Sequence, residues 1–187
     1  SIKSILTSAG RLGLSFKEVD VDSDGRLTRE NFEKVAGPRT LACFLSWAEH
    51  FSGSIHPVSE IGSYCKEKEI YFLVDATESV GKVFFRWQEL NVDLLMFTKE
   101  NLTAAVMKKS DQMQKDKWGE DFSLKSFYQL SDASNEALEQ MDMSLMSFAT
   151  IKNDVMDRLE NSLLECRFFN RGANFLPDRW CFAFKGV

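Results

Sequence analysis

Apolar residues recur at helical spacing from the start of the chain. Ile2, Ile5, Leu6, Ala9, Leu12, Phe16 and Val19 share one face, and Gly10 and Gly13 are its weak points. The same period returns at Leu41, Phe44, Leu45, Ala48 and Phe51, between Gly37-Pro38 and Gly53, and predicts a further helix bounded by those breakers. Val58 to Val74 reads as a helix through Ile61, Cys65 and Phe72, and Asn91 to Lys99 as another through Val92, Leu95 and Met96. Residues 101–117 are polar and basic-leaning, with Leu102, Ala105, Val106 and Met113 sparse enough for a solvated linker helix. Val155, Met156, Leu159, Leu163 and Leu164 mark one more helix before an aromatic C-terminal stretch.

A shorter pattern repeats inside this frame. An apolar pair stands four and one residues before a polar loop at Phe16/Val19, Tyr71/Val74 and Phe127/Leu130. Exits follow at Phe85, Glu89 and Leu90, at Leu138, Asp142 and Met143, and at Phe175, Arg179 and Trp180. Four helix-loop-helix units in one all-α domain are therefore expected, an N-terminal pair over 1–100 and a C-terminal pair over 101–187 sharing one core.

The strongest chemical signal lies in the first loop. Asp20, Asp22 and Asp24 alternate, Gly25 follows, and Leu27 and Phe32 resume the apolar pattern. Alternating carboxylates closed by glycine are the plan of a calcium-binding EF-hand loop, in which hard oxygens gather round a hard cation. The twelfth position, normally a bidentate Glu, is Asn31, which offers one neutral oxygen in place of two charged ones. The competing reading is an Asp-rich turn capping a helix, with Thr28 as the N-cap. Elsewhere Lys82, Glu136 and Arg179 each stand against a metal at their loops.

Composition narrows the classes. The chain has 187 residues, enough for one sizeable domain, and 16 Phe against 3 Pro suit a compact aromatic core. A net charge of -5 offers no basic surface to a nucleic-acid backbone, and no apolar run is long enough to span a membrane. Cys43, Cys65, Cys166 and Cys181 lack C-x-x-C spacing, so free thiols are expected. With no leader-like start, cytoplasmic residence is expected. His50 and His56 are not spaced as a ligand pair, and neither a G-x-S-x-G nor a Gly-rich phosphate loop occurs, so no enzyme is expected.

On DVDSDGRLTRENF and FRWQEL the sequence resembles the EF-hand superfamily, closest in plan to the invertebrate sarcoplasmic calcium-binding proteins. That resemblance implies calcium, exchangeable with magnesium, held by Asp20, Asp22, Asp24, the Arg26 carbonyl, Thr28 and Asn31. The function it implies is a calcium buffer or weak sensor with one working loop and the calcium ion as its partner. Two other uses of the scaffold stay open: a metal-independent interaction module, and a carrier of a small apolar ligand.

Overall fold

The computed structural model describes residues 10, 13–99, 102–107, 124–162 and 165–185. In chain order its helices are α1 (Arg29–Val35), α2 (Val58–Glu67) and α3 (Leu124–Ser162), with a 3-10 turn at Trp87–Glu89. Its strands are β1 (Ala42–Ser46), β2 (Tyr71–Asp75), β3 (Leu94–Lys99), β4 (Leu102–Met107), β5 (Cys166–Phe168) and β6 (Phe182–Phe184). The expected all-α fold is corrected to an α/β one.

The sheet runs in the order β1-β2-β3-β4, parallel from β1 to β3 and closed by the antiparallel pair β3-β4. β5 and β6 form a separate antiparallel pair. Parallel neighbours need a crossover, and β1-α2-β2 supplies it. The helix expected over 41–51 is β1. The one expected over 58–74 ends at Glu67, where Glu69 takes a positive φ of 56°, and the chain re-enters as β2. The one expected over 91–99 is β3, and 102–107 of the linker helix is β4.

These corrections share a cause. Strands of a parallel sheet are buried on both faces and read as short continuous apolar runs, which spacing alone does not distinguish from a helix face. In β2 the pattern is resolved by burial: Phe72 and Val74 are fully enclosed, while Tyr71 is 62% exposed.

The third and fourth units are corrected as well. The loop expected from Ser131 and the entering helix at Val155 both lie within α3, 39 uninterrupted residues containing neither Gly nor Pro. The C-terminal exit helix is β6. Residues 13–19 are not helical, and the rest of the first expected helix lies outside the described residues, as does 108–117.

One face of the sheet carries the core. Leu45, Phe72, Val74 and Leu95 meet Ile61 and Cys65 of α2 and Phe32 of α1, whose ring stands edge-on to Tyr64 at 5.6 Å. Each fully buried side chain of this size contributes about 1.5–3 kcal/mol. α1 starts where Thr28 caps it, its hydroxyl accepting the Asn31 N–H at 3.1 Å. The four cysteines are free, Cys65 being buried.

Candidate active site

β1 and β2 end side by side at Ser46 and Asp75, level with Met96 in β3. In open α/β sheets such carboxyl ends line the ligand crevice. Asp75 is tied in place here. Its carbonyl accepts the Trp47 N–H at 2.8 Å, and the next amide, Ala76, donates to the Met96 carbonyl at 2.7 Å. Its side-chain Oδ1 accepts the Thr77 N–H at 2.9 Å, and Thr77 Oγ1 accepts the Thr98 N–H at 3.0 Å. The strand end is thus fixed by main-chain bonds to Trp47 and Met96, and the carboxylate itself by the Thr77 N–H.

The turn after Asp75 presents Glu78 to the segment 170–181. Glu78 is bonded to His50 Nδ1 at 2.7 Å, to Arg179 Nη2 at 2.6 Å and lies 3.6 Å from Lys82 Nζ. Burial pushes its carboxyl up, but hydrogen bonds from His50 and Arg179 and the charges of Arg179 and Lys82 outweigh that and hold it below its ordinary value. Arg179 also donates to the His50 carbonyl at 2.9 Å and to Asp178 at 3.1 Å, and Lys82 pairs with Asp178 at 2.8 Å. Backbone bonds complete the junction: Ile55 N–H to the Asn174 carbonyl, 2.8 Å, and Leu176 N–H to the Gly53 carbonyl, 2.7 Å. Buried Lys152 of α3 donates to the Leu176 carbonyl at 3.2 Å, and burial lowers its pKa against the pull of Asp178.

The residues expected to hold calcium form a different object. Asp22 Oδ1 accepts the N–H groups of Asp24 at 3.0 Å and Arg26 at 2.8 Å, a self-closed turn with Gly25 at φ 73°. The Arg26 carbonyl accepts the Asp22 N–H, and Asn31 Nδ2 donates to the Asp20 carbonyl at 3.1 Å. Asp20 and Asp24 lie exposed, and Thr28 caps α1. Among the described residues no group of three or more His, Cys, Asp and Glu side chains could hold a metal ion. The turn instead docks on residues 54–56: Ser54 Oγ donates to the Asp24 carbonyl, Arg26 Nε to the Ile55 carbonyl, and Leu27 N–H to His56 Nδ1 at 3.0 Å.

That last bond requires a neutral imidazole. Burial and the Arg26 charge lower the pKa of His56 from its ordinary 6.5, with Asp22 opposing. A lowered folded pKa gives stability that is fully present above 6.5 and lost as pH falls through the folded value. His56→Gln, whose amide oxygen can accept the same N–H, is expected to flatten the pH dependence of unfolding between about pH 5 and 7. Urea melts of both proteins across that range check it, and parallel curves would refute it.

Of Asp75, Glu78 and Arg179, only Arg179 is singled out by the sequence pattern, as an exit position set against a metal. The signal that separates them is an apolar run, Tyr71 to Val74, closed by an acid and a small-residue turn, which is how a buried strand ends. Sequence carries no comparable sign that Arg179 meets Glu78.

Comparison with known proteins is consistent with this geometry. The profile of the family Aminotransferase class-V matches residues 3–105. A protein named cysteine desulfurase IscS from Dechloromonas aromatica is 37% identical over 87 residues, 46% of this chain and 22% of the relative. One of the same name from Clostridium botulinum is 34% identical over 83 residues, 44% of this chain and 21% of the relative. Among solved structures, a NifS-like protein superposes with a TM-score of 0.86 at 20% identity, covering 100% of this chain and 55% of that one. Alanine–glyoxylate aminotransferase from Nostoc sp. gives 0.73 at 17% identity, covering 99% of this chain and 58% of that one. The chain thus spans little more than half the length of these solved proteins.

These matches overturn the EF-hand resemblance and everything that rested on it: the calcium buffer or sensor role, calcium or magnesium as cofactor, and the expectation of no enzyme. Among the described residues no helix is long and apolar enough to cross a membrane. With its profile match over more than half of its length and a sheet whose carboxyl edge carries a fixed acid, the chain belongs to the class-V aminotransferase family.

Proposed function

We propose that the chain is the sheet-bearing part of a pyridoxal-phosphate enzyme of the cysteine desulfurase type, acting on a small amino acid in the cytoplasm. The observation that carries this reading is Asp75, a carboxylate fixed at the end of a parallel strand. Cysteine desulfurases use pyridoxal phosphate, which when bound serves as an electron sink, and an acid facing its ring nitrogen is a recurrent part of such sites. The described residues fit that end of the cofactor. Asp75 would keep a proton on the ring nitrogen, with Thr77 N–H restricting its rotation so that Oδ2 is presented.

The two lysines near the segment 170–181 are both engaged with other groups. Lys82 lies 2.8 Å from Asp178 and 3.6 Å from Glu78, and Lys152 donates to the Leu176 carbonyl. The role derived for this chain is therefore to bind and orient the ring. Titration of the purified chain with pyridoxal phosphate, followed by circular dichroism in the cofactor's absorption band, tests it. Saturable binding is expected, weakened about ten-fold or more in Asp75→Ala. Binding unchanged in that variant, or none by the natural chain, would overturn the assignment.

A further inference from the structure

β2 leaves the sheet at Asp75, its last residue paired with β3. One further main-chain bond joins the two strands, from the Ala76 N–H to the Met96 carbonyl at 2.7 Å. The next rung of a parallel ladder would run from the Thr98 N–H to the Ala76 carbonyl. That carbonyl is already taken by the turn. It accepts the N–H groups of Ser79 at 3.0 Å and Val80 at 2.9 Å, and the hydroxyl of fully buried Ser79 at 3.2 Å. The Thr98 N–H instead donates to Thr77 Oγ1 at 3.0 Å. A side-chain oxygen thus takes the place of a strand carbonyl and extends the hold of β3 on the turn by one rung.

The same residue grips the acid. Thr77 N–H donates to Asp75 Oδ1 at 2.9 Å, two residues back along the chain. A local bond of this kind selects one staggered rotamer of the aspartate, and it lasts only while the donor amide stays in place. The hydroxyl of Thr77, anchored on β3, ties down the residue that carries that amide. Branching at its Cβ restricts χ1, so the anchor is stiff.

We propose that Thr77 is a positioning residue for Asp75: its hydroxyl, fixed to β3, keeps its amide on Oδ1 and so sets the direction in which Oδ2 is offered. What that direction serves rests on the cofactor reading of Asp75 given above, whereas the hold itself does not. Thr77→Val keeps the shape and the branching but removes the acceptor, and Thr77→Ser keeps the acceptor. Thr77 is exposed, so both variants are expected to fold. Thr77→Ala, which also removes the acceptor, replaces the valine variant if that one does not.

Backbone amide spectra of the purified chain, labelled with nitrogen-15 and titrated with acid, test the hold. Protonating Asp75 is expected to move the residue 77 amide, a movement absent in Asp75→Asn. In Thr77→Val that movement should fall about two-fold or more, and the Thr98 amide should exchange with solvent about ten-fold faster. Thr77→Ser should restore both. Pyridoxal phosphate affinity, followed by circular dichroism, should fall about three-fold in Thr77→Val and recover in Thr77→Ser. No movement at residue 77 in the natural chain, an undiminished one in Thr77→Val, or a loss that Thr77→Ser does not restore would each overturn the proposal. A lost movement with unchanged cofactor affinity, or with no cofactor binding by the natural chain, would uphold the positioning role and overturn instead the assignment of Asp75 to the cofactor.

Discussion

Gly62→Ala is expected to be among the most damaging single-methyl additions in the protein. Gly62 sits fully buried in α2 where the helix crosses the connection to β3, and a Cβ there would lie 2.0 Å from the Leu90 carbonyl oxygen and 3.2 Å from its carbon. Both atoms are backbone, so no side chain can rotate away. Relief requires α2 to lift from the sheet, which opens the contacts of Ile61 and Cys65 with the core. Overpacking against a side chain costs about 1–3 kcal/mol, and a rigid backbone contact is expected to reach about 3–5 kcal/mol. For a chain of this size that corresponds to a fall of roughly 10 °C in the melting temperature. Gly37→Ala is the control, because its added Cβ meets nothing within 4 Å. Equal melting of the two variants would show that α2 does not approach the Leu90 main chain as described.

Arg179→Met should release the segment 170–181 from the sheet. Arg179 holds Glu78, Asp178 and the His50 carbonyl at once, and Glu78 and Arg179 are only 20% and 25% exposed. Removing the guanidinium leaves two partly buried carboxylates short of a cation. Asp178 Oδ1 already lies buried without a partner among the described residues, so the remaining Lys82 contact is poorly able to compensate. Breaking a fully buried pair costs about 3–5 kcal/mol, and partial solvation reduces the expected loss here to about 2–3 kcal/mol. Arg179→Lys should recover little, since an ammonium cannot reach three acceptors in the fork geometry of a guanidinium.

The Glu78 carboxyl is held below its ordinary 4.5, so its contribution is present above that value and lost as pH falls through the folded one. In Arg179→Met that acid-side loss should shrink. Double-mutant cycles with Glu78→Gln, and hydrogen exchange at the Ile55 and Leu176 amides, report the coupling directly. Strict additivity of the two substitutions would sink the idea that this pair joins the segment to the sheet.

The Asp20 to Gly25 run shows how a local pattern can support two structures. Alternating acids followed by glycine suit a cation loop, and they also suit a turn in which one aspartate accepts two backbone amides. Asp22 does the latter, and its neighbours bond to residues 54–56. The difference lies in contacts about thirty positions away, between Arg26 and Ile55 and between Leu27 and His56, which spacing within the run does not encode. The pairing of Glu78 with Arg179, 101 positions apart, is hidden for the same reason.

Where the chain turns and where helices can begin was determined locally. Thr28 carries the acceptor that starts α1, Gly25 takes the positive φ that its turn requires, and Ile61 and Cys65 set the apolar face of α2. The run from Leu124 to Ser162, free of Gly and Pro, contained the information for one continuous helix even though a repeat pattern could be laid over it. Tertiary structure decided what the short apolar runs at 42–46, 71–75 and 94–99 become. A five- or six-residue apolar segment satisfies its backbone within itself as a helix or across neighbours as a strand, and the choice falls to whichever neighbours are present. Here β1, β2 and β3 supply one another's hydrogen bonds and bury Phe72 and Val74 beneath α2, and that alignment brings Asp75 to the edge where chemistry can occur.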